Sequence, residues 1–240
     1  MTAPKYLLLG DTHGQLDPVI EAVAMTLDNG VKTLVQLGDW GFCWPSGGKV
    51  NALRSLLEAN RVTMYFLDGN HDWHPEINRR WFDGQFQDHD VLRFMRRGTS
   101  PFPGVVALGG AASIDKRHRR PGHSWWPDEL ITIDQVASPT LAAREHTTTP
   151  CDVLLTHDAP VLPPGLPPFP GASKADYAYC EGNCEMILAA MRCKPRRCFH
   201  GHYHMRYESR YEDTIVIGLA ADGTKGSMLL VDEHWDPVKP

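Results

Sequence analysis

Over the first third of the chain, short apolar runs alternate with segments whose apolar residues recur at helical spacing. Tyr6–Leu9 is an apolar run that stops at Gly10-Asp11. Leu16 to Leu27 carries the helical period. Thr33–Leu37 reads as a second strand and stops at Gly38-Asp39. Lys49–Asn60 puts Val50, Leu53, Leu56 and Leu57 on one helical face. Val62–Leu67 is a third strand, ending at Asp68-Gly69-Asn70-His71-Asp72. Strands alternating with helices predict βαβ units and a mainly parallel sheet, because parallel neighbours need a crossover segment.

Beyond this region the alternation is looser. Val91–Met95 and Val105–Leu108 read as strands, the second followed by Gly109-Gly110. Asp115–Pro127 is basic and aromatic and reads as a loop. Glu129–His146 is expected to be helical on either side of Pro139. Asp152–Leu155 is a buried strand ending at Thr156-His157. Ala159–Gly171 is dense in proline, so it is a stiff irregular loop. Its place directly after a strand-end histidine suits an active-site rim better than a linker. Asp176–Met191 reads as a helix. Arg197–Phe199 is a short strand leading into His200-Gly201-His202-Tyr203-His204. Tyr207–Tyr211, Thr214–Leu219 and Ser227–Val231 are expected as antiparallel strands joined by glycine-containing turns. With no repeat or low-complexity segment, one domain over 1–240 is the simplest organisation, with 112–150 and 158–175 as rim insertions.

Composition narrows the class. The 240 residues are 42% hydrophobic and 22% charged, which excludes a mostly disordered chain or a fibre. Lys+Arg of 24 against Asp+Glu of 29 leaves a net charge of −5, a poor match for a general nucleic-acid coat. No apolar run approaches the ~20 residues that span a bilayer. The N-terminal apolar stretch lacks the flanks of a signal peptide and reads as a first strand. A cytoplasmic location is expected, with no membrane and no obligate protein partner. The six cysteines are Cys43, Cys151, Cys180, Cys184, Cys193 and Cys198. The last four have tolerated spacing for a structural zinc, but no pair shows the two-residue spacing that would support it, so free thiols are expected.

Five predicted strands end in metal-ligating residue types: Asp11/His13, Asp39, Asn70/His71, His157 and His202/His204. In an open α/β sheet the carboxyl ends of parallel strands share one edge, where ligands bind. These residues therefore converge although they span most of the sequence. Carboxylate, imidazole and amide oxygen without thiolate suit Mn²⁺, Fe or Zn²⁺. The donors are too many for one tetrahedral ion. Two ions roughly 3.5–4 Å apart would use them all. Singly, each piece has a plainer reading: Gly-Asp at a strand end is often a turn or helix cap, and a lone His is more often surface or core.

With these motifs in place, the chain resembles the calcineurin-like metallophosphoesterases. Gly10-Asp11-Thr12-His13-Gly14, Gly38-Asp39, Gly69-Asn70-His71-Asp72, Thr156-His157 and Gly201-His202-Tyr203-His204 match in the family's order, over residues 6 to 204. The resemblance implies a four-layer α-β-β-α sandwich, two mixed central sheets flanked by helices, with the site at strand carboxyl ends. It implies Asp11, His13 and His204 on one metal, Asn70, His157 and His202 on the other, and Asp39 bridging. The cofactors would be two divalent ions, Mn²⁺ foremost, with Fe, Zn²⁺ or Ni²⁺ as alternatives. A metal-bridging hydroxide would attack a phosphoester, with His71 as general acid or transition-state stabiliser. A loop-fixing role for His71 is the alternative.

One departure bears on substrate. The family's phosphoprotein phosphatases carry an Asp three residues after the bridging Asp, followed by an Arg; here those positions are Phe42 and Cys43. Asp72 is a candidate to orient His71 instead. The pattern favours a phosphodiesterase acting on nucleotide-like diesters over a phosphomonoesterase, small-molecule or protein-directed. A scaffold that keeps the fold without catalysis is less consistent with a filled ligand set. A DNA-repair nuclease would lack its extra DNA-capping region, since little sequence follows residue 235. The basic run Lys116-Arg117-His118-Arg119-Arg120, followed by Ser124-Trp125-Trp126, suits phosphate contact with base stacking. Arg117, Arg119 and Arg120 are the substrate-binding candidates, against a solvated loop with Trp in the core. Arg96-Arg97 reads as a solvated pair, Asp68 as a turn residue, and His74 as a further residue shaping the pocket.

Overall fold

The computed structural model describes residues 3–44, 49–79, 91–145 and 151–238. Among them, two five-stranded sheets stand face to face. The first is built from β1 (Tyr6–Leu9), β2 (Thr33–Gln36), β3 (Thr63–Phe66), β4 (Leu92–Phe94) and β10 (Met228–Val231), in the order β10-β1-β2-β3-β4. The second comprises β5 (Val105–Leu108), β6 (Val153–Thr156), β7 (Arg197–His200), β8 (Tyr207–Tyr211) and β9 (Thr214–Gly218), in the order β5-β6-β7-β9-β8. Each sheet is parallel except at one edge. There β10 runs antiparallel to β1, and β8 antiparallel to β9.

The period-2 alternation of strand side chains builds the layers. Leu8 and Val35 of the first sheet pack against Ala107, Leu155, Phe199 and Ile217 of the second. Their neighbours point the other way. Leu7, Leu9, Leu34 and Met64 meet Val19, Ala22 and Val23 of α1 (Leu16–Asp28) and Leu53 and Leu57 of α2 (Lys49–Asn60). Val106, Leu154, Cys198 and Val216 meet Ile187 and Ala190 of a later helix on the second sheet's outer face. Strands covered on both faces must be apolar at consecutive positions, which is why they read as short continuous runs. The result is the four-layer α-β-β-α sandwich.

The helices differ from expectation in the middle of the chain. A short α3 (His74–Ile77) follows the Asn70 loop. Between Glu129 and Glu145 there is no long helix. A 3-10 turn, Pro127–Glu129, precedes α4 (Ile133–Val136) and α5 (Pro139–Glu145), while His146 lies outside the described residues. Glu129 closes that turn, and its buried carboxylate accepts from Ser113 and Tyr179. Thr132 then starts α4 with a reciprocal cap to Gln135. The helix α6 (Lys174–Ala190) begins two residues before the expected start, because Ser173 and Asp176 form a capping box. The three tail strands do not form one antiparallel unit. β8 and β9 make a hairpin through Glu212-Asp213, a turn without glycine, whereas β10 crosses to the first sheet beside β1. All six cysteines are buried, and no cysteine joins a potential metal cluster among the described residues.

Candidate metal centre and its cavity

The carboxyl ends of β1, β2, β3, β6 and β7 bring the seven expected ligand residues to one place. Asp11, His13, Asp39 and His204 offer ligand atoms within 4.8 Å of one another, and so do Asp39, His157 and His202. Asp39 is common to both groups. His204 Nε2 is 3.0 Å from Asp11 Oδ2, and His157 Nε2 is 3.3 Å from both Asp39 Oδ1 and Asn70 Oδ1. Asp11 Oδ1 also accepts the His202 amide at 3.1 Å. The backbone is drawn tightly around these groups. A Cβ at Gly69 would collide with Asp39 and His157, and one at Gly201 with Asp11. His13, Asp39, His202 and His204 all have positive φ. That conformation is costly for residues with a side chain and persists where surrounding structure imposes it, as at functional sites.

The donor set fits divalent cations. Asp39 is 1% exposed, and its Oδ1 accepts the His71 amide at 2.7 Å. Its Oδ2 has no hydrogen-bond partner among the described residues, and His13 Nε2 stands 3.5 Å away. A buried carboxylate oxygen without a donor is costly unless a cation meets it. Burial opposes ionisation of Asp39, yet the charge of His157, with the imidazoles of His71 and His13 close by, holds it well below the usual carboxylate range. Burial likewise opposes protonation of His13 and His157. Asp39, with Asp222 and Asp11, overcomes it and raises His13 to about 9, while Asp39 and Asp11 raise His157 to about 10. Burial and the neighbouring His157 push His202 down to about 3. Protons and metal ions therefore compete for the same imidazole nitrogens.

Several supporting groups carry no motif in the sequence. Asp222 Oδ1 lies 3.0 Å from His13 Nδ1, leaving Nε2 to face Asp39. The Leu37 carbonyl does the same for His157, 2.8 Å from Nδ1. Such outer contacts fix the tautomer and ring orientation of a metal-ligating histidine. Asn70 Nδ2 donates to Ser113 Oγ at 3.1 Å, so its oxygen turns inward, and Ser113 is held by Glu129 at 2.6 Å. Asp158, fully buried, accepts from Asn183 and from the Ala159 amide, both at 2.8 Å, tying the loop after His157 to α6. Asp222, Ser113 and Glu129 come from irregular segments. Only the Thr156-His157 motif could have flagged Asp158, as its next residue.

His71 lines the cavity but is not oriented by Asp72. The Asp72 carboxylate instead accepts from the amides of Trp40, Gly41 and Gly69, pinning two ligand loops together. Phe42 and Cys43 point into the core against the helices. The neighbour His71 acquires is Arg119, whose Nη2 lies 2.8 Å from His71 Nε2. Arg119 also donates to the Asn70 carbonyl at 3.0 Å and to Asp115 at 2.7 Å. Its guanidinium carries only donors, so His71 Nε2 accepts and the proton of a neutral ring sits on Nδ1. Burial lowers the His71 pKa; Asp39 opposes this and Arg119 adds to it.

The other two arginine candidates lie elsewhere. Arg117 bonds the Gly171 carbonyl and pairs with Asp176 at 3.3 Å, so it secures the proline-rich loop to α6. Arg120 does not line the cavity. The aromatic part of this run is also occupied: Lys116 Nζ lies 4.4 Å from the Trp125 ring and 4.1 Å from the Tyr179 ring. Arg97 is not a solvated residue, and Asp68 is more than a turn residue. Arg97 is 7% exposed, bonds Asp68 through Nε at 3.0 Å, and reaches the Leu130 and Asp128 carbonyls. His74 is buried beside Asp68 and does not line the cavity.

The cavity beside the donor cluster measures about 420 Å³. Asp39, Asn70, His71, His202, His204 and Arg119 line its polar end. Ile114, Leu162, Leu166, Pro167, Phe169 and Tyr177 line the other.

Two facing mixed sheets carry paired carboxylate–imidazole clusters at their strand ends, a donor arrangement of the kind that holds divalent cations. The family model described as calcineurin-like phosphoesterase matches residues 4–206, and the chain belongs to that family. It is a metal-dependent phosphoester hydrolase, from a family that works with two metal ions. Comparison with curated proteins gives no match. Among solved structures, TT1561 of Thermus thermophilus is similar at a TM-score of 0.58 and 15% identity, covering 96% of this chain and 95% of that one. The phosphopantetheinyl hydrolase PptH from Mycobacterium tuberculosis is similar at 0.55 and 14%, covering 98% and 100%. GAP50, the anchor in the inner membrane complex of Plasmodium, is similar at 0.52 and 10%, covering 93% and 73%. At these identities the likeness concerns the fold, which serves more than one purpose. No helix among the described residues is long and apolar enough to cross a membrane.

Proposed function

We propose that the chain is a dinuclear phosphodiesterase acting on nucleotide-like diesters. Asp11, His13 and His204 would hold one ion and Asn70, His157 and His202 the other, with Asp39 shared. Manganese suits this mixture of oxygen and imidazole donors. Bound ions would neutralise phosphate charge and activate the attacking water.

The chain's own groups do the rest. Arg119, held by Asp115 and the Asn70 carbonyl, presents a fixed cation to a phosphate oxygen. His71 sits beside it. With its pKa pushed down, it acts as a neutral imidazole whose Nδ1–H donates a hydrogen bond to the leaving oxygen and stabilises the charge that develops there. Asp72, Ser113 and Glu129 keep the ligand loops in register.

The observation that carries the diester reading is the cavity. It runs from the donor cluster to an apolar wall, and among the described residues Arg119 is the only Arg or Lys in its lining. This gives space for an organic substituent on phosphate and little extra positive charge for a dianionic monoester. The burial of Phe42 and Cys43 in the core agrees with it. The test compares bis-p-nitrophenyl phosphate with p-nitrophenyl phosphate on chelator-stripped protein with Mn²⁺ restored. Higher kcat/KM for the diester is expected; preference for the monoester would replace this reading with a phosphomonoesterase.

A further inference from the structure

The proline-rich segment 159–171 forms the cavity's apolar side, and its shape is fixed by polar ties to α6. The Phe169 amide donates to the Tyr177 hydroxyl at 2.8 Å. Arg117 bonds the Gly171 carbonyl, and Arg117 pairs with Asp176 at the first turn of α6. The segment's six prolines, five of them ahead of Phe169, restrict the backbone leading into these ties. The loop therefore meets a ligand with little ordering cost.

What it presents is apolar. Phe169 is 46% exposed, one of four large apolar side chains left open among the described residues, and it alone of the four lines the cavity. Leu162, Leu166 and Pro167 lie beside it, and Ile114 faces in from the other insertion. The polar groups nearby are already engaged. Asp115 is bound by Arg119, and the Tyr177 hydroxyl by the Phe169 amide. Among the described residues, no amide side chain or free carboxylate lines this end to read the edge of a base. The cavity is thus amphipathic along its length, and its volume falls in the range that takes one small organic ligand.

We propose that Phe169 and Leu166 form a subsite for an aromatic substituent on the phosphate, one that selects aryl or nucleobase-sized groups by apolar contact without discriminating among bases. The inference rests on the diesterase reading for its substrate. It adds a specificity determinant drawn from this chain's insertions.

The experiment measures binding, not turnover. Manganese-loaded protein is titrated calorimetrically with 1-naphthyl phosphate and with methyl phosphate. The two probes share the phosphate and differ in the group that would meet the wall. Wild type is expected to bind the naphthyl ester at least about tenfold more tightly, from the apolar area covered. Phe169→Ala with Leu166→Ala is expected to shrink that ratio to about threefold or less. Phe169 is exposed in a loop tied through its backbone, so the single variant Phe169→Ala serves as the check if the double variant folds poorly. Equal affinities in wild type, or a ratio that survives both variants, would overturn the subsite while leaving the phosphodiesterase reading standing. Failure of 1-naphthyl phosphate to bind the metal-loaded protein would likewise overturn the subsite, whereas the phosphodiesterase reading stands or falls on the comparison of bis-p-nitrophenyl phosphate with p-nitrophenyl phosphate.

Discussion

Two buried aspartates at the ends of neighbouring strands show how one ingredient serves two ends. Asp39 follows β2 and Asp68 follows β3; they are 1% and 4% exposed. Both carboxyls are held below their usual range against the burial that opposes ionisation. The source of the compensating charge differs. Asp68 meets a guanidinium supplied by the chain, with Arg97 bonding both carboxylate oxygens. Asp39 meets only imidazoles and an amide, and its Oδ2 has no hydrogen-bond donor among the described residues. A permanent internal cation makes a structural brace. Imidazoles that can lose their protons make a place that accepts cations from solution. Burial of charge therefore does not mark a functional site; the absence of a fixed counter-charge does.

The largest expected effect separates the two. Asp39→Asn should lower kcat/KM for diester hydrolysis on the order of a thousandfold or more and weaken both metals, with the fold retained. Arg97→Ala should do the reverse. Leaving Asp68 buried without its guanidinium costs about 3–5 kcal/mol of stability, read as a lower denaturant midpoint, while the folded fraction keeps its activity. A stable but inactive Arg97→Ala protein would break the comparison.

How much of this was legible in the sequence follows the same line. Ligand-type residues directly after apolar runs, at Asp11, Asp39, Asn70, His157 and His202, could be placed because strand ends are readable and parallel strands share an edge. The Asp68–Arg97 brace could not. Its partners lie 29 residues apart, and Arg97 leaves its strand in a turn that looks solvated beside Arg96. Arg119 stood out only as one of a basic run, and packing alone separates it from Arg117 and Arg120. The return of β10 to β1 was likewise hidden, since a short apolar run carries no mark of the sheet it will join.

Asp222 is a sharper test of outer support. Asp222→Ala removes the group that fixes His13 Nδ1, and metal affinity should fall about tenfold to a hundredfold, measured by metal titration. Asp222→Asn should recover part of the loss. An unchanged affinity would reduce Asp222 to a surface contact.

The smallest effects concern protons. His13 near 9 and His157 near 10 are both mostly protonated at pH 7 in the metal-free protein. Manganese binding at pH 7 should release about two protons per chain, visible as a dependence of calorimetric heat on buffer ionisation. The sign for stability follows from raised pKa values. The metal-free protein holds this contribution fully below the ordinary histidine value of 6.5 and loses it as pH rises through 9 to 10. With metal present the trend should reverse, since deprotonated imidazoles bind ions.

If two cations complete the Asp39 cluster, the activity must follow their number. Diester hydrolysis should be followed while Mn²⁺ is titrated into chelator-stripped protein at a concentration well above the metal dissociation constants. Activity should climb and level off at two equivalents per chain. Full activity without added metal in the presence of chelator, or saturation at one equivalent, would contradict it.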